Sequence, residues 1–81
     1  MPNISKIIEN EVSKYPRGTE IAGVREYNDV YVIFLGQPNN KGRIFGNTSL
    51  PTVNKKTGKV VYTELYDLPV DGYDSVDYRK I

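Results

Sequence analysis

The chain contains neither cysteine nor histidine in its 81 residues. Without cysteine there is no disulfide, no thiolate nucleophile and no cysteine-ligated zinc. Without histidine the commonest general base and the commonest transition-metal ligand are missing, and Ser5, Ser13, Ser49 and Ser75 have no imidazole to activate them. Tryptophan is absent as well. No apolar run approaches the length of a membrane span, and the opening MPNISKIIENEVSK lacks the apolar centre of a signal peptide. The expectation is a cytoplasmic, single small domain over residues 1–81, with one modest core and little stability to spare.

The net charge is only +1, but it is sorted along the chain. Residues 1–29 sum to about −1, residues 30–63 to +5 with no acid, and residues 64–81 to −3. A basic middle and an acidic end either satisfy each other within the fold or face different partners.

Local pattern places the elements. Ile4, Ile7, Ile8 and Val12 make one apolar stripe of a helix, with Lys6, Glu9, Glu11 and Lys14 mainly off it. Asn3 or Ser5 supplies the N-cap oxygen, and Tyr15-Pro16 ends the helix. Glu20 to Tyr27 reads as a strand with Ala22 and Val24 toward one face, and Gly23 marks a bulge. Asn28-Asp29 is a two-residue turn. Val30 to Gly36 is apolar on both alternations, as a central strand covered on both faces requires. One cover is the helix; the other is the tail or a second subunit. Residues 36–42 are a loop and Arg43 to Phe45 a short strand. Leu50–Val53 and Lys59–Leu65 form a hairpin, joined through Asn54–Gly58 by a type I turn closed on a left-handed glycine. The tail from Tyr66 wraps irregularly or adds an edge strand. The class is α+β: an N-terminal helix on a curved antiparallel sheet of about four or five strands.

NKKTGKVVY, residues 54–62, suggests phosphate chemistry at first sight. A P-loop needs Gly, four spacers and Gly-Lys-Ser/Thr. Here Val60 follows Gly58-Lys59, and Val53 stands where the first glycine belongs. The segment also joins two strands rather than opening a helix. Paired carboxylates are conceivable among Glu20, Glu26, Asp29 and Glu64, but no spacing singles out a pair. The aspartates of the tail lack the calcium-loop pattern. The expectation is therefore a non-enzymatic protein with no cofactor and no metal.

Two binding surfaces remain. Tyr66, Asp67, Asp71, Tyr73, Asp74 and Tyr78 form an acidic, tyrosine-rich strip suited to clamping a basic surface on another protein, since tyrosine gives large contact area with few torsions. Lys41, Arg43, Lys55, Lys56 and Lys59, interleaved with Tyr31, Phe34, Phe45 and Tyr62, are the alternative, a nucleic-acid surface. An open sheet this small also exposes a strand edge, through which a homodimer can form.

Over Arg43 to Tyr62, RIFGNTSLPTVNKKTGKVVY, the sequence resembles the small bacterial YrhB-type family, grouped with toxin-immunity proteins. The likeness lies in the break at Gly46-Asn47, then Leu50-Pro51, Val53 and Asn54 to Val60. The chain departs in having no tryptophan before the central strand, and in Asn54 where an aspartate is common. The resemblance implies a helix followed by strands, and a protein that binds and neutralises another without catalysis: an immunity factor or a phage-encoded inhibitor acting by occlusion. It carries over no binding residues.

Overall fold

The computed structural model describes residues 3–15, 17–36 and 49–81. The expected loop at 37–42, the strand at Arg43 to Phe45, and Lys41 and Arg43 themselves lie outside the described residues.

One helix packs on a five-stranded antiparallel sheet, so the α+β class holds, and the sheet is open rather than closed. Helix α1 spans Ile4–Val12. Of the two cap candidates Asn3 serves: its Oδ1 accepts from the Lys6 N–H at 3.2 Å, satisfying one of the donors a helix start leaves over. The strands are β1 Glu20–Glu26, β2 Val30–Gly36, β3 Ser49–Asn54, β4 Val60–Glu64 and β5 Asp74–Val76. Their order across the sheet is β4-β3-β2-β1-β5.

The β3–β4 turn forms as its residues dictate. Asn54 Oδ1 accepts from the N–H groups of Lys56 and Thr57 at 2.8 and 3.0 Å. Gly58 then turns left-handed at φ 75°, and its N–H donates to Asn54 O at 2.9 Å. Glycine adopts that conformation without the steric penalty other residues meet. Pro51 leaves its mark one strand over. It has no N–H for a ladder, and the β2–β3 pairing stops at Val32–Thr52, one residue short of it.

Two expectations are corrected by packing. Ala22 does not share a face with Val24. The β1–β2 register shifts between Ile21 and Gly23, so a bulge takes up Ala22, which is exposed. The extra residue lets Ile21 and Val24 both turn toward the helix, although a regular strand would send them to opposite faces. Glu11 is not off the helix stripe either. It is only 2% exposed, lies one turn beyond Ile4 and Ile8 on the packed face, and accepts a hydrogen bond from the Tyr62 hydroxyl. The Lys14 ammonium sits 3.2 Å from its other oxygen. A buried carboxylate is tolerable because both partners are present.

Between helix and sheet lies a core of Ile4, Ile8, Val24, Ile33, Leu35 and Val53. The opposite face buries Val32, Leu50 and Thr52. Strands β4 and β5 sit at opposite edges, so residues 65–73 must cross the whole sheet. They do so over the face away from the helix, as a strap with a single 3-10 turn at Leu65–Asp67. The two-sided apolar character of β2 is thus answered by the helix on one side and the strap on the other.

Candidate functional site

The strap is fastened at its far end by Arg25. The guanidinium lies 4.6 Å from the Phe34 ring centre and 4.2 Å from that of Tyr73, a cation held between two aromatic faces. Tyr27 reinforces the joint. Its ring packs tilted against Tyr73 at 5.6 Å, and its hydroxyl donates to the Pro69 carbonyl at 3.3 Å.

Between this anchor and β4 the strap stands off the sheet and leaves a cleft of about 540 Å³. Its lining is apolar on both sides, with Val30, Val32 and Val61 in the sheet floor and Leu68 in the strap. The polar atoms on the floor are occupied with each other. The Thr52 hydroxyl donates to the Leu50 carbonyl at 3.2 Å and accepts from the Thr63 hydroxyl at 2.9 Å. Asp29, Asp67 and Asp71 stand in the wall, all exposed, and among the described residues no lysine or arginine lines the cleft. Among the described residues no group of three or more carboxylates converges to hold a metal ion, so these acids act as separate charges around a rim.

A somewhat larger groove of about 600 Å³ runs between α1, the first half of β1 and residues 76–79. Of its charged residues, Asp77 and Arg79 are engaged with each other, while Glu9 and Glu20 are exposed. Asp77 Oδ2 lies 2.8 Å from an Arg79 terminal nitrogen, and Asp77 Oδ1 accepts from Arg79 Nε at 3.0 Å. These bonds hold the Asp77 carboxyl down at about 2. The groove thus mixes charges of both signs, whereas the strap cleft sets three carboxylates around an apolar floor with no cation among the described residues.

The tyrosine-rich strip is divided by the fold. Asp67 and Asp71 line the cleft, and Tyr66 is 78% exposed beside them in sequence. Tyr73 is half-buried as the strap anchor. Tyr78 packs against the helix-side core, and Asp74 opens β5 opposite Glu26. The basic set is divided too. Lys55 Nζ is 2.8 Å from Glu26 Oε2 and lies over the Tyr31 ring at 5.1 Å. That bond holds the Glu26 carboxyl below its ordinary range, while burial and the Glu26 charge push the Tyr31 hydroxyl up. Lys56 and Lys59 are exposed around the β3–β4 turn. Of the conceivable acid–base carboxylates, Glu26 is tied to Lys55 and Glu64 accepts from the Ser49 hydroxyl at 2.7 Å.

Tyr27 was legible only as a strand residue, and Asp29 as a turn residue and one of four carboxylates that no spacing paired. Their meeting with Asp67, Pro69 and Asp71 depends on the strap crossing the sheet, and no local pattern encodes that. No protein-family model, curated protein or solved structure matches this chain, so what it binds has to be argued from the geometry of the strap and the sheet.

Proposed function

We propose that this chain is a small non-enzymatic binding protein that holds another protein by a basic segment, seating it in the cleft beneath the strap. The observation that carries this reading is the pairing of an apolar floor with Asp29, Asp67 and Asp71 in a wall that holds no lysine or arginine among the described residues. A lysine or arginine side chain has the matching form. Its aliphatic stem covers apolar surface while its head reaches the rim. The exposed carboxylates contribute little affinity each, roughly 0.2–1 kcal/mol, and are screened by salt. Selectivity for basic partners comes from the rim, and affinity from the stem and the surface around it. Covering a basic patch blocks whatever that patch contacts, which is inhibition by occlusion. The complete lack of histidine and cysteine supports a role without catalysis.

The test is a nitrogen-15 NMR titration with a short arginine-rich peptide and an acidic peptide of equal length. The expected result is a saturable shift of the Asp29, Thr52 and 67–72 amides with the basic peptide alone. It should weaken in Asp67→Asn/Asp71→Asn and at high salt. Shifts confined to other surfaces, or equal shifts with both peptides, would reject the reading.

A further inference from the structure

The large apolar side chains left exposed among the described residues are Val61, Tyr62, Leu65, Tyr66 and Val70. Four of these five fall in one short stretch, on or just after β4. Strand β4 is also an edge of the sheet. Edge strands usually carry a device that discourages pairing: a proline, a bulge, a lysine within the strand, or a covering segment. The other edge is blunted instead, since β5 is only three residues long and pairs with Val24 to Glu26, and a bulge interrupts the rest of β1. Strand β4, VVYTE, has neither proline nor lysine, and it pairs with β3 without a register shift from Ser49–Glu64 to Val53–Val60.

The ladder fixes which groups of β4 face outward. The Asn54 N–H donates to Lys59 O at 2.9 Å. Antiparallel pairs alternate between bonded and non-bonded, so Val61 turns its N–H and C=O inward to Thr52 while Val60 and Tyr62 turn theirs away from the sheet. The position of Pro51 opposite Tyr62 agrees, because that pair requires no N–H from proline toward β4.

We infer that β4 is the interface of a homodimer, two copies pairing antiparallel about a two-fold axis through Val61. A two-fold perpendicular to the sheet is the symmetry that joins identical edges antiparallel. It sets like faces together, so both helices lie on one side of a continuous sheet. Centred on Val61, each Val60 exchanges its backbone bonds with Tyr62 of the partner subunit. All opposed side chains from 60 to 62 are then apolar: Val60 against Tyr62, Val61 against its own counterpart. Centred instead on Tyr62, the pairing would set Val60 against the Glu64 carboxylate, which favours the first register.

A second copy fits better than a foreign strand because the edge complements itself with no like charges opposed. The size of the edge sets the strength. Five residues make a strip only about 17 Å long, short of the roughly 800 Å² per partner of a stable complex unless the neighbouring apolar side chains join in. The dimer is therefore weak and concentration-dependent, in the micromolar range. It shares Val61 with the cleft floor but is carried by the backbone edge of β4 rather than by the rim carboxylates, and it does not rest on the cleft reading.

Sedimentation equilibrium of the full chain from low micromolar to near-millimolar concentration tests this, with Val61→Lys and Val61→Glu as variants. Val61 is 48% exposed, so both should fold, with circular dichroism as the check. The wild type is expected to dimerise. Each variant alone should be at least tenfold weaker, because like charges meet on the axis, and an equimolar mixture should recover a heterodimer. Hydrogen exchange should show the Val60 and Tyr62 amides gaining protection with concentration while Val61 changes little. A wild type that stays monomeric overturns the inference. So do variants that dimerise like the wild type, or a mixture that fails to associate.

Discussion

Replacing Tyr62 by phenylalanine removes one hydroxyl and leaves the ring, which isolates the bond that ties β4 to the helix. In the native fold that hydroxyl donates to Glu11, a carboxylate 2% exposed, whose other partner is Lys14. The bond, together with burial and the Glu11 charge, pushes the Tyr62 hydroxyl from its ordinary 10.0 up to about 12. Taken whole, that displacement corresponds to about 2.7 kcal/mol. Tyr62 is 55% exposed, however, and solvent screening reduces the contribution to about 1 kcal/mol. The sign follows from linkage. The unfolded chain releases the phenolic proton near pH 10, whereas the folded chain keeps it until about 12. The stabilisation is fully present below pH 10 and is lost as pH rises from 10 to 12. Urea unfolding at submicromolar protein, well below the range in which β4 edges pair, provides the assay. At pH 8 the Tyr62→Phe midpoint should fall by about 1 M urea, taking roughly 1 kcal/mol per M for so small a domain. The gap between the two proteins should close as pH passes through 10 to 12, whatever else alkali does to both. Equal midpoints at pH 8, or a gap that does not change with pH, would falsify the proposed tie.

Ile8 is fully buried under the helix, and Ile8→Ala should lower unfolding free energy by about 3 kcal/mol in denaturant titration; a loss under about 1 kcal/mol would mean the helix is not packed as described. Gly58→Ala forces a side chain into φ 75° and should destabilise by about 1 kcal/mol, while lengthening neither strand in exchange measurements. Arg25→Ala removes the cation between Phe34 and Tyr73. It should speed amide exchange at residues 69–73 and reduce the tyrosine near-UV dichroism far more than it disturbs the helix-side core. Uniform loosening of the whole chain would contradict the role of Arg25 as the strap fastening.

Much of the local structure was legible because its causes are local. The spacing of Ile4, Ile8 and Val12 is a property of one helix turn after another. Asn54 and Gly58 carry their turn in their own hydrogen bonds and φ preference. The apolar character of β2 on both alternations announced that two layers must cover it. Glu11 was misplaced because a charged residue at a stripe position reads as a face boundary, and its partner Tyr62 lies 51 residues away. The bulge was visible as a glycine, but which residue it would eject was not. A bulge changes the face of every residue before it, and the register is set by the neighbouring strand.

By itself, the sequence determined the helix, the two hairpins, the open α+β class and the absence of histidine and cysteine chemistry, since each follows from residues within a few positions of one another. Where the tail goes was set by pairings between distant segments. Placing β4 and β5 at opposite edges forces residues 65–73 across the sheet. That crossing brings Asp67 and Asp71 round to Asp29, takes Tyr73 and Tyr78 out of a continuous strip, and leaves β4 as an apolar edge that no other described strand pairs. Strand order is a choice among distant pairings, and no single stretch of this chain contains the information to make it.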